Sequence, residues 1–275
     1  MEQSTLDLFL LLLIKSLSLQ IGTNLSQRPW FLEKPIAHRG LHHGVEIPEN
    51  SLAAFEAACE AGYPIELDCH LHERSGEIIV FHDQDLTRLA QDPRDIQKMS
   101  LSDLLKVRLY ETDQKIPTLK QVLELVNGRV PLLIETKQFK SNGSFEKKLI
   151  EMMDEYESHC GGEWAIQSFH HGALCYIQRH YPHVVKGMLS GSMDDAEIPG
   201  WQKASVRSLV LLPLIKPQFL SYEVAHLKRR ETKLPWQKIL GVPVIGWTIR
   251  NKKDYKSAIA VCDNVIFENF SPEHQ

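Results

Sequence analysis

The chain has no excess of positive charge. Its 31 lysines and arginines face 35 aspartates and glutamates, giving a formal net charge of -4 over 275 residues. Gripping a nucleic-acid backbone over a broad surface takes a basic face, so this balance argues against that class while leaving room for a small anion held by two or three cations. Cysteine is scarce and unpatterned. Cys59, Cys69, Cys160, Cys175 and Cys262 are odd in number, scattered and without a CxxC pair. They read as free thiols of a reducing compartment, with the cytoplasm as the expected location, and they are too far apart for a zinc site. A membrane-spanning run is also missing: the apolar stretch Leu8 to Ile14 is far short of the roughly 20 residues required. Glu2 and Asp7 precede it and no A-x-A follows, unlike a secretory signal. Residues 1–30 are therefore expected to form a helical extension outside the main fold, with a shallow, peripheral membrane contact as the alternative. There is no GxGxxG turn, internal repeat, low-complexity tract or linker, so residues 31–275 are expected to form one domain.

What is present is alternation. Strand-like runs occur at 35–38, 64–70, 78–82, 131–135, 164–169, 184–189, 206–212, 242–249 and 264–268. Between them lie helical patterns: SLAAFEAACEAG starts at Asn50 or Ser51 and stops at Gly62, and TLKQVLELVNG carries Leu119, Val122, Leu123 and Val126 on one stripe. SFEKKLIEMMDEYESHCGG and HGALCYIQRHY read the same way. Strand–helix repetition on this scale predicts an α/β protein, a single distorted (β/α)8 TIM barrel. Nine candidates compete for eight places. The connection from His70 to Ile78 is too short for a helical crossover, so an irregular, hairpin-like link is expected between the second and third candidates.

Chemistry collects where the strands end. Side chains two apart share a strand face, so IELDCH sets Glu66, Asp68 and His70 on one face and Leu67 and Cys69 on the other. Bare carboxylates crowded in a confined site repel and desolvate badly. A divalent cation resolves that, and hard oxygen ligands favour magnesium, calcium or manganese over zinc. In LLIETK, Glu135 and Lys137 share a face, while PIAH and IIVFH end in His38 and His82. Two histidines, three carboxylates and the cations Arg39 and Lys137 are what metal-assisted phosphodiester cleavage requires: charge against the phosphoryl oxygens, one imidazole to take a proton and one to give it. His42, His43, His72, His170 and His171 read as structural or solvated, and KRRETK (228–233) as a solvated face.

The ordered set HRG with PEN, then ELD, FHD with Leu86 and Arg88, IPTL and IETK resembles the glycerophosphodiester phosphodiesterase family from about residue 35 to 250. The resemblance implies a distorted TIM barrel holding one divalent cation, Mg2+ or Ca2+, and hydrolysis of glycerophosphodiesters to sn-glycerol 3-phosphate and an alcohol. It implies His38 and His82 as the acid–base pair and Glu66, Asp68 and Glu135 as metal ligands. Arg39 and Lys137 would meet phosphate, and Glu49 would orient Arg39 or join the metal, with His70 in support. Trp247 would be either an apolar wall beside the glycerol or barrel core. Two departures stand out. Phe267-Glu268 replaces the family's Thr-Asp near the C-terminus, leaving that acid without an assigned role. The segment 83–116 is short where relatives carry a cap, implying a shallow cleft. The rivals are a lysophospholipase D acting on membrane lysolipids and a non-catalytic, metal-stabilised binding protein. The sequence is silent on oligomeric state.

Overall fold

The computed structural model describes residues 29–137, 143–191, 211–224 and 241–272. The expected N-terminal helix, the KRRETK run and residues 206–210 of one strand candidate lie outside the described residues.

The strands, in chain order, are β1 (Ile36–Ala37), β2 (Ile65–His72), β3 (Glu77–Val80), β4 (Asp85–Leu86), β5 (Asp92–Asp95), β6 (Leu132–Thr136), β7 (Trp164–Ser168), β8 (Lys186–Ser190), β9 (Phe219–Glu223), β10 (Val244–Ile249) and β11 (Asn264–Phe267). Eight of them run parallel in the order β1-β11-β10-β9-β8-β7-β6-β2, and the pairing of Ala37 with Ile65 brings β2 back to β1 and closes the barrel. β3 is outside this ring. It pairs antiparallel with β2, from Cys69 opposite Val80 to His72 opposite Glu77, so the chain climbs past the rim and returns.

One strand of the ring lies where the sequence offered no candidate. At the described end of the 206–212 candidate, Leu212–Ile215 is a single helical turn with a proline in its first positions, where proline's fixed φ suits a helix start. The strand that completes the ring is β9, FLSYE, whose inward Ser221 and Glu223 break the apolar run that marks its neighbours. The candidate 78–82 does form a strand, β3, and joins β2 through the expected hairpin-like link, so His82 arrives from an antiparallel return outside the ring.

Helices form where capping chemistry starts and stops them. Helix α1 (Leu52–Ala61) begins with Ser51 Oγ accepting from Ala54 N and ends at Gly62, whose φ of 68° is the left-handed conformation. Helix α2 (Leu119–Val126) opens with a capping box between Thr118 and Gln121. Helices α3 (Ser144–Cys160), α4 (His171–His180), α5 (Leu212–Ile215) and α6 (Lys252–Ala258) follow. Among the described residues no helix is long and apolar enough to cross a membrane.

The barrel strands bury both faces, which is why they read as continuous apolar runs. Outward Leu67, Ile134, Ile166, Met188, Leu220 and Val265 pack against the helices. Inward Ile36, Leu133, Ala165, Phe219, Ile245 and Ile266 form a floor, plugged from below by Trp30 and Phe31. Each aliphatic side chain so buried contributes about 1.5–3 kcal/mol. That apolar floor closes the N-terminal end of the barrel and leaves the carboxyl ends of the strands for polar groups. Segment 79–116 carries its own apolar cluster, built on Ile79, Phe81, Leu86, Leu89, Ile96, Leu104, Leu109 and Ile116.

Candidate active site

Two residues above the floor, the inward positions change from apolar to charged. Glu66, Asp68 and Glu135 are all buried, and each offers a carboxylate oxygen to a cluster whose ligand atoms lie within 4.8 Å of one another. Strand alternation makes this arrangement, since β2 and β6 pair in register with Asp68 opposite Glu135. Burial, then the neighbouring charges of Asp68 and Glu135, push the Glu66 carboxyl well above its ordinary range. Asp68 is depressed well below it: burial opposes its charge, but Lys137 and Arg39 more than compensate. Lys137 Nζ stands 3.0 Å from Asp68 Oδ1 and also pairs with Glu135. This set of hard oxygen donors, two already balanced by a lysine and one forced toward its neutral form, fits a divalent cation.

Around the cluster sit residues from distant parts of the chain. Arg39 N donates to Glu66 Oε2 at 3.0 Å, and Arg39 Nε lies 3.2 Å from Asp68 Oδ2. The Arg39 guanidinium pairs with Glu49, which Arg88 grips through two hydrogen bonds of 2.6 and 2.8 Å. Burial works against the Glu49 charge, but the Arg88 and Arg39 donors hold its pKa below normal. Glu49 is therefore turned toward the two arginines. Asn50, at φ 54°, donates through Nδ2 to Asp68 Oδ2 at 2.8 Å. Gln167 donates to Glu66 Oε1 at 3.3 Å and accepts from Ser221 Oγ at 2.7 Å. Gln167 and Ser221 were not singled out from the sequence, and Asn50 was named only as a helix start and within the PEN motif. Nothing in the local pattern marks Ser221, and Gln167 is marked only by an inward position on an otherwise apolar strand.

Both histidines face this cluster, and each has a carboxylate at Nδ1. His82 Nδ1 meets Asp83 Oδ1 at 2.6 Å, and Asp83 is fixed in turn by Arg88 Nε at 2.8 Å. His38 Nδ1 meets Glu268 Oε2, and Arg250 Nε holds the other oxygen of Glu268 at 2.6 Å. Glu268, left without a role by the sequence, thus sits against one of the two expected catalytic histidines. Burial lowers the His38 pKa to about 4 against the raising effect of that carboxylate. His70 Nε2 pairs with the backbone oxygen of His82 at 3.2 Å, so it supports the chain carrying His82. A cavity of about 480 Å³ opens beside His70, His82, Arg88 and Lys137. Trp247 packs edge-to-face on Phe169, centroids 5.8 Å apart, and against the floor cluster. His72 pairs with Ser75 and the Met99 carbonyl, and His170 caps α4, both structural.

Comparison with known proteins places the chain in a family. The family model described as "Glycerophosphoryl diester phosphodiesterase family" matches residues 38–270. A glycerophosphodiester phosphodiesterase of Caldanaerobacter subterraneus subsp. tengcongensis is 32% identical over 244 residues, covering 85% of this chain and 93% of that protein. Among solved structures, a glycerophosphodiester phosphodiesterase from Thermotoga maritima shares the fold with a TM-score of 0.66 at 24% identity, over 85% of this chain and 94% of that one. An Oleispira antarctica phosphodiesterase, in complex with the product sn-glycerol-3-phosphate, has a TM-score of 0.64 at 22% identity over 86% and 93% of the two chains. With its closed barrel, carboxylate cluster and paired histidines, the chain belongs to the glycerophosphoryl diester phosphodiesterase family.

Proposed function

We propose that this protein hydrolyses glycerophosphodiesters to sn-glycerol 3-phosphate and a free alcohol, using one Mg2+ or Ca2+ and a pair of histidines. The observation that carries the proposal is the matched pair of histidine–carboxylate contacts at the rim, His38 with Glu268 and His82 with Asp83, flanking buried Glu66, Asp68 and Glu135.

A carboxylate at Nδ1 keeps the ring proton there and leaves Nε2 with its lone pair toward the cleft. His38 and His82 are thus both set to exchange a proton at Nε2, one taking it from the attacking hydroxyl and the other giving it to the leaving alkoxide. Arg39 and Lys137 place fixed positive charge beside the cluster, and their pairing with Glu49, Asp68 and Glu135 holds both side chains in position. Glu66, Asp68 and Glu135 would hold the divalent cation, which supplies charge neutralisation for the phosphoryl oxygens when bound. The product bound by the Oleispira relative supports the glycerol 3-phosphate half of the substrate.

The test is release of glycerol 3-phosphate from glycerophosphocholine by chelator-stripped protein, before and after Mg2+ or Ca2+. Cation-restored release supports the proposal. Absence of release with either cation overturns it, and cleavage of lysolipid vesicles instead would move the substrate to membrane lysolipids.

A further inference from the structure

A second group of potential ligands lies at the rim, on the far side of His38 from the carboxylates. His38, His42 and Glu268 each offer one ligand atom, and these lie within 4.8 Å of one another, with His38 Nδ1 and His42 Nε2 both facing Glu268 Oε2. The sequence alone sets His38 and His42 four residues apart; the backbone turns them toward the same acid. Arg39 at φ 56° and Gly40 at φ 82° fold the chain back after β1. A Cβ at Gly40 would come within 2.8 Å of the Ala54 backbone, so the tight turn is available only to glycine. Glu268 reaches the same point from the end of β11, and Arg250 on its Oε1 at 2.6 Å leaves Oε2 as the ligating oxygen.

An independent observation points to a ligand here. The His42 side chain is only 10% exposed, and its Nε2 is buried without a hydrogen-bond partner. It faces Glu268 Oε2 at 3.6 Å, an ion-pair distance that is long for a hydrogen bond. Two imidazoles and one carboxylate suit a borderline cation of the zinc class, whereas the all-oxygen cluster of Glu66, Asp68 and Glu135 suits a hard one.

We propose that His38, His42 and Glu268 form a second, inhibitory cation site for Zn2+, distinct from the carboxylate cluster. Capture of Nδ1 by the cation drives the His38 ring proton to Nε2, with no proton lost. Nε2 can then only donate, and the Glu268 contact that orients the ring is gone. An acid–base residue must take a proton as well as give one over a turnover cycle, so a capped His38 stalls it. The inhibitory half of this proposal rests on the phosphodiesterase reading; the binding half does not.

The experiment titrates Zn2+ into the full-length protein in millimolar Mg2+, with binding read by competition against a chromophoric chelator and, in parallel, glycerol 3-phosphate release. One Zn2+ retained per chain is expected, with turnover at least tenfold lower. His42→Asn should weaken zinc binding at least tenfold and relieve the inhibition, and Glu66→Gln should leave zinc binding in place. Zinc bound equally well by His42→Asn, or displaced by Mg2+ and lost in Glu66→Gln, overturns the proposal. Binding that depends on His42 in a protein that shows no turnover keeps the site and overturns only the phosphodiesterase reading.

Discussion

Gln167 is an amide whose orientation is decided by its neighbours. Its Oε1 accepts from Ser221 Oγ at 2.7 Å, so its Nε2 is the atom presented to Glu66 Oε1 at 3.3 Å. An N–H aimed at a ligand carboxylate keeps that carboxylate oriented, and loss of such support typically costs ~10–100-fold in metal affinity. Gln167→Glu replaces the donor with a fourth buried carboxylate. Calorimetric titration with Mg2+ should show affinity reduced by at least that factor, or the introduced carboxyl staying protonated at neutral pH. Wild-type affinity in Gln167→Glu with the introduced carboxyl ionised would remove Gln167 from the support of the site.

Lys137 is the counter-charge of the cluster. Its Nζ serves Asp68 and Glu135 together, and burial would lower its pKa were those two charges not raising it further. Removing one partner of a buried ion pair costs about 3–5 kcal/mol because the other is left uncompensated. Lys137→Met should therefore lose stability on that scale in chelator, and millimolar Mg2+ should restore much of it by binding the freed carboxylates. Thermal melts with and without Mg2+ check this; a variant whose Tm ignores Mg2+ would mean the carboxylates do not hold the cation.

The acidic cluster was legible in the sequence because β2 and β6 are covered on both faces, so a charged residue at an inward position has no innocuous explanation. Ser51 and Gly62 likewise announce α1 through local capping chemistry. β9 was not legible, because the polar residues Ser221 and Glu223 point into the barrel and erase the apolar run. His82 was placed at the correct rim, and the short connection from His70 to Ile78 already signalled the return strand that carries it, since a parallel crossover needs a dozen residues or more. Asn50, Glu268 and Arg88 take their roles from partners 18, 230 and 39 residues away, and separations of that kind leave no periodic trace.

Asp83 joins His82 to the arginine network. It accepts from Arg88 while holding His82 Nδ1, and those two contacts depress its pKa in spite of burial. Asp83→Asn keeps the shape and removes the charge that stabilises a protonated ring. The loss in kcat should approach but not exceed the ~10²–10⁴-fold worth of one acid–base role, with KM little changed. Steady-state kinetics separate the two constants. A large rise in KM at constant kcat would instead assign Asp83 to substrate binding.

Lys186 lies far from this chemistry and is fully buried on β8. Its Nζ donates to the Val184 carbonyl at 3.1 Å, and burial lowers its pKa from 10.5 to about 8. Between those two values the unfolded chain holds a proton on this lysine that the folded chain does not, so stability rises with pH across that window. The charged form is thus a cost at neutral pH, up to about 3 kcal/mol for a shift of this size. Lys186→Met should be the more stable protein at pH 7, and its advantage should shrink steadily from pH 8 to 10.5 as the wild-type lysine loses its proton. Urea unfolding of both proteins at several pH values measures the difference directly, and it cancels the titration of every lysine they share. An advantage that is constant with pH would mean that Lys186 is neutral, or well solvated, throughout.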